Sequence, residues 1–210
     1  MKRLAALACL ALAACAPTPS DFLSATRADT SHRMLRLPFE HSWRTDDEIP
    51  PGKYRSIVIA PVTLAYLDSS HWKTSRSEFI PDKATWESET MALANRWNSY
   101  LKEQFSSPVC SLYLSDDRSD PKAVIIETAI IRNTFARPFS PASVSFEARF
   151  KDAATGRILG TAADTRRKNY SPDDFNRSAF ANPNDDICEA WAIELMEATN
   201  RELFPVVWRR

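Results

Sequence analysis

The sequence predicts an α+β domain, a two-layer sandwich in which one mixed five-stranded sheet carries two helices on a single face, in the order β-α-β-β-β-β-α. Three observations carry that expectation. The run Ile57-Val58-Ile59-Ala60 has no polar alternation, as in a strand buried on both faces. Two stretches, about residues 85–105 and 183–204, place Trp, Leu and Phe at helical spacing. Finally, Val144, Phe146, Ala148 and Phe150 alternate with Ser145, Glu147, Arg149 and Lys151, so one face of that strand is expected to be wet and the helices to cover only the other.

In chain order, Lys2 and Arg3 precede an apolar run from Leu4 to Leu12 and then Leu12-Ala13-Ala14-Cys15. This is a secretory signal ending in a lipoprotein cleavage box, with residues 1–14 removed and Cys15 carrying the lipid. The apolar run is far shorter than the roughly 20 residues a spanning helix needs. Acyl chains contribute about 0.8 kcal/mol per buried CH₂, so two or three of them hold the chain on a membrane unaided. Residues 15–51 are rich in Ser, Thr, Asp and Pro and read as a polar tether, in which Met34 to Phe39 is apolar enough for a short surface strand. Residues 52–210 read as a single periplasmic domain.

Within that domain, strands are expected at Ser56 to Val62, Val109 to Leu114, Ala123 to Arg132, Val144 to Lys151 and Arg157 to Thr165. Asp82 or Thr85 caps the first helix, whose apolar stripe is Trp86, Leu93, Trp97, Leu101 and Phe105. Gly156 supplies the positive φ that the hairpin from Asp152 to Gly156 needs. The last helix opens with Asn182 as cap, Pro183 at its first position and Asp185 and Asp186 in its first turn.

Composition excludes several chemistries. The whole chain holds 27 Lys and Arg against 27 Asp and Glu, and loss of Lys2 and Arg3 leaves the mature chain slightly acidic, which gives no nucleic-acid footprint. With only Gly52, Gly156 and Gly160, no phosphate loop, dinucleotide fingerprint or nucleophile elbow can be drawn. His32, His41 and His71 make no ligand pair, so no metal and no cofactor are expected. Ser70-His71-Trp72-Lys73 matches S-x-x-K, but the companion motifs of penicillin-interacting enzymes are missing, and a solvated loop explains it. Trp86, Trp97 and Trp191 read as core. In an oxidising compartment Cys110 and Cys188 are the available pair, and a disulfide between them is expected because the second strand and the last helix must pack on each other, with two buried free thiols as the alternative.

Phe22-Leu23, Lys53-Tyr54 leading into Ile57-Val58-Ile59-Ala60-Pro61-Val62, Asp152-Ala153-Ala154-Thr155-Gly156 and a final helix with Trp191-Ala192 form a pattern. It resembles Gram-negative lipoproteins catalogued only as a domain of unknown function, over nearly all the mature chain. The element order is similar, more distantly, to small α/β domains of envelope lipoproteins that assemble into secretion or transport complexes. The resemblance implies no catalytic residues. Because Ala16 rather than Asp follows Cys15, similarity to sorted lipoproteins implies the outer membrane.

The expected role is a non-enzymatic binding or assembly module in the cell envelope, anchored through Cys15 and meeting a protein or glycan partner. The alternatives are a periplasmic hydrolase acting on cell wall or lipid, and a small-molecule carrier with a cavity between sheet and helices. If a helical crossover makes the second strand parallel to the first and every later strand reverses, one end of the domain collects the incoming tether with Lys53 and Arg55, the loop Asn133 to Ala142 and the segment Arg166 to Ala181. Arg132, Phe135, Arg137, Phe139, Arg166, Arg167, Lys168 and Tyr170 then form a basic and aromatic surface facing anionic headgroups or an acidic partner.

Overall fold

The structure, a computed structural model, describes residues 20–24, 32–34, 39–45, 49–50, 52–77, 80–136, 140–169 and 183–204. Its elements are α1 (Asp21–Ser24), β1 (His32–Met34), β2 (His41–Thr45), β3 (Ser56–Ile59), a 3₁₀ turn (Ser69–His71), α2 (Trp72–Ser75), α3 (Lys83–Phe105), β4 (Tyr113–Leu114), β5 (Ala123–Thr134), β6 (Ala142–Asp152), β7 (Ile158–Lys168), α4 (Pro183–Ala198) and a closing π turn (Thr199–Leu203).

The α+β class and the mixed sheet with α3 and α4 on one face are as expected, but among the described residues the sheet has seven strands, not five. Their order is β1-β2-β7-β6-β5-β3-β4. The two additional strands come from the segment expected to be a tether. β2 pairs antiparallel with β7, and β1 with β2. Phe39, just before β2, is buried and meets the Trp191 ring edge-on at 5.3 Å. The folded unit therefore begins well before residue 52.

The sequence of strand reversals is also corrected. β3 is flanked by β4 and β5 and runs parallel to both, while β5, β6 and β7 alternate. β4 is only two residues long, and the link after it returns to the start of β3, where Ser56 Oγ donates to Asp120 Oδ2 at 2.6 Å. β5 thus sets out from the same end as β3. With β3 pointing up, the β5–β6 link and the end of β7 stand together at the top, since Ala142 pairs with Lys168. Lys53 and the hairpin after Asp152 stand at the bottom.

α3 and α4 form over the stretches expected to be helical, and Asn182, the expected cap of α4, lies outside the described residues. The Asp82 carboxylate accepts the Thr85 N–H at 2.8 Å and caps α3. Trp86, Leu93, Trp97, Leu101 and Phe105 are all buried, and Trp97 and Trp191 each lie 4.2 Å from the Phe146 ring. α3 and α4 run in the same direction: Arg96 reaches Asp185 at 2.7 Å near one end, and the Asn200 side chain holds Ser111 and Val109 near the other. Gly156 has φ 71°, as its hairpin requires.

Candidate functional site

The face of the sheet away from the helices is not simply wet, because α1 lies on it. Ser20 N–H donates to Glu147 Oε1 at 3.0 Å and its hydroxyl donates to the other carboxylate oxygen. Phe22 and Leu23 are buried against Ala129, with Ile131 and Ala163 beside them. Arg149 donates to the Phe22 carbonyl at 3.1 Å, and its guanidinium sits 4.3 Å from the centre of the Phe22 ring. Glu147, expected to be solvated, is in consequence only 6% exposed.

Beside α1 a groove of about 80 Å³ opens across β2, β7, β6 and β5, bordered by Leu23, His41, Trp43, Arg132, Ser145, Glu147 and Thr165. Sites for drug-sized ligands start at roughly 300 Å³. Between sheet and helices, where a carrier would need its cavity, a void bordered by Phe39, Phe150, Leu195 and Leu203 measures about 10 Å³. Around that void the described residues are packed rather than hollow.

The surface expected to bind is brought together only in part. Arg132 and Arg167 are exposed. Phe135 is instead core: it packs with Ile80 and Trp86, and its N–H donates to Ser75 Oγ. Arg166 donates to Asp164 at 2.7 Å and makes a two-pronged pair with Glu194, while the same Asp164 oxygen accepts the Trp191 indole N–H at 3.0 Å. Lys168 pairs with Asp186. These two cations fasten β7 to α4. Lys53 and Arg55 lie at the opposite end of the sheet from Arg132, Arg166, Arg167 and Lys168, because β5 runs with β3. Cys15, Arg137, Phe139 and Tyr170 lie outside the described residues.

Lys53 takes part in a node that sequence spacing could not reveal. Asp152 Oδ2 accepts from Lys53 Nζ at 2.9 Å and Tyr54 Oη at 2.7 Å, and its Oδ1 accepts the Ala154 and Thr155 N–H groups. Burial alone would raise this carboxyl's pKa, but the bonds from Tyr54, Lys53 and Thr155 hold it well below the usual carboxylate range. Two segments of the resembling pattern, nearly a hundred residues apart, meet at this one side chain.

Cys110 and Cys188 are free thiols, which corrects the expected disulfide. With α3 and α4 running the same way, the turn at residues 109–111 meets Asn200. Cys188 is twelve residues earlier along the last helix, about 18 Å at the helical rise, whereas a bridge needs Cα atoms within about 7 Å. Burial pushes both thiols up, Cys188 the further. Ser70 and Lys73 of the S-x-x-K match lie exposed in a surface turn, where the Ser70 N–H donates to Asp68. His41, expected in the tether, belongs to β2 and borders the groove. Among the described residues no three His, Cys, Asp or Glu side chains are grouped to hold a metal ion, and no helix is long and apolar enough to cross a membrane.

No protein-family model and no curated protein matches the chain. Solved structures to which the chain is similar include a PelC dodecamer from Paraburkholderia phytofirmans, at 10% identity and TM-score 0.44, covering 79% of this chain and 95% of that one. Protein XCC0632 from Xanthomonas campestris, of the DUF330 family, is 14% identical at TM-score 0.44, covering 71% and 85%. A minor lipoprotein from Acinetobacter baumannii is 11% identical at TM-score 0.33, covering 72% and 97%. At these values the likeness carries no role across, and function is argued from this chain's own residues.

Proposed function

We propose that the protein is a lipid-anchored lipoprotein of the bacterial envelope whose α+β domain binds a protein or glycan partner rather than catalysing a reaction. The observation that carries the reading is Leu12-Ala13-Ala14-Cys15 behind a short apolar run with Lys2 and Arg3 in front of it. Ala16 in place of Asp favours the outer membrane. Binding is favoured over hydrolysis by the use already made of the buried ionisable groups. Asp152, Asp164, Glu147 and Arg166 are engaged in fastening elements to one another, and Glu147, which borders the groove beside α1, is taken up there by both donors of Ser20.

Metabolic labelling with a palmitate analogue tests the anchor. Wild-type protein should carry label and sediment with outer-membrane fractions, and Cys15→Ser should lose both. Label retained by Cys15→Ser overturns the assignment. In-cell crosslinking of the lipidated protein, read by mass spectrometry, tests the role: a recurrent envelope partner joined at fixed residues supports a binding module, and adducts scattered over every face count against it.

A further inference from the structure

The open face of the sheet is tied to the lipid by a very short connection. Ser20 is bonded to Glu147, the middle residue of β6, and β6 is the fourth of seven strands. The chain is therefore fixed at the centre of that face. Only residues 16–19 separate Ser20 from Cys15, and five Cα-to-Cα steps span at most about 18 Å. A domain of this length has a radius of roughly 20 Å, so a path from the centre of one face around to the other is roughly 60 Å. The connection cannot make it. A second observation concerns charge. α3 and α4 carry eight Asp and Glu against three Lys and Arg, and stay net acidic with Arg166 and Lys168 of β7 paired to them, whereas on the open face Arg132, Arg149, Lys151 and Arg167 balance Glu127, Glu147, Asp21 of α1 and Glu40 at the groove.

We infer that the open face of the sheet lies against phospholipid headgroups, and that the α3–α4 layer points away from the membrane. This rests on lipidation of Cys15. It replaces the end-on orientation expected from the sequence: the whole 15–51 segment is not a free tether, since its residues 20–23 are docked. The groove beside α1 then faces the bilayer, and the acidic helices are kept from an anionic surface that would repel them.

The test uses the intact lipidated protein in vesicles of phosphatidylethanolamine and phosphatidylglycerol with a nitroxide on a fraction of the headgroups. Single cysteines for a fluorophore are placed by Arg167→Cys on the open face and Met91→Cys on the helix layer, each with Cys110→Ser and Cys188→Ala. Quenching should be several-fold stronger at position 167 than at 91. A flexible insertion of about 20 residues between Thr18 and Pro19, ahead of Ser20, should largely abolish the difference, and Phe22→Asp, which releases α1, should do the same. Equal quenching at the two positions, stronger quenching at 91, or a difference untouched by the insertion overturns the inference. Absence of a diacylglyceryl mass on the purified protein overturns the lipoprotein reading itself, and is read separately before any vesicle is made.

Discussion

At the scale of single residues, Asp152 shows how one side chain closes a fold. It joins the segment before β3 to the hairpin between β6 and β7, filling both carboxylate oxygens with donors. Lys53 is 39% exposed at its side chain, so its share is small and Tyr54 with the turn N–H groups carries most of the effect. Asp152→Asn should lower stability at neutral pH by about 2 kcal/mol, read from urea midpoints. The sign with pH follows from the depressed pKa. The folded state binds this proton less readily than the unfolded chain, so the stabilisation is complete above the unfolded carboxylate value near 3.9 and is lost as pH falls below it toward the folded value. The gap between wild type and Asp152→Asn should therefore narrow from about pH 4 to about pH 2, and a gap of constant size counts against the assignment. The cysteines give a simpler measurement. A thiol count on unreduced, unfolded lipidated protein should return two, and a count of zero would require helix directions other than those described.

At the scale of elements, α3 and α4 are fastened at the top by a buried polar lock. Asn133 Nδ2 donates to Thr90 Oγ1 at 2.9 Å, Asn184 Nδ2 donates to Asn133 Oδ1 at 2.6 Å, and the Trp86 indole donates to the Asn133 carbonyl. Thr90, Asn133 and Asn184 are fully buried. Asn133→Ala removes two of these bonds and should cost about 2 kcal/mol in the same urea measurement; a loss below about 0.5 kcal/mol would show that the lock does not hold the elements together. None of it was legible beforehand, because three polar residues on three elements have no common spacing in sequence. α3 was legible, since a capping Asp and a stripe of large apolar residues are local signals. β6 was legible by alternation, yet its wet face was misjudged at Glu147 because the cover comes from a segment more than a hundred residues away. β2 was missed and β1 only touched, at Met34, by the short strand expected over Met34 to Phe39, whose middle lies outside the described residues: strands of three and five residues among Ser, Pro and Asp carry too little pattern to separate from a tether. The candidate surface failed chiefly through β4, whose two residues read as a full strand and so reversed the expected direction of everything after it.

At the scale of the molecule, β1 and β2 decide where the domain starts, and this can be tested by truncation. β7 is eleven residues long, and β2 covers the edge that would otherwise offer its backbone groups to another chain. The sheet ends instead on β1 and β4, of three and two residues, which are poor templates for edge-to-edge pairing. Cutting the chain before residue 52 would expose the β7 edge and also remove Phe39 from its place against Trp191. Loss of one buried aromatic costs about 3 to 5 kcal/mol, and for a chain of this size each kcal/mol corresponds to roughly 2 to 4 °C in melting temperature. Residues 52–210 should therefore melt on the order of 10 °C below residues 20–210, and should elute from size exclusion as growing oligomers where the longer form stays monodisperse. If the shorter piece melts at the same temperature and stays monodisperse, β2 is an ornament on the sheet and the docked α1 that precedes it loses its rigid support. If it fails as expected, the folded unit extends to within five residues of Cys15, which is the condition for a short anchor to dictate which face meets the membrane.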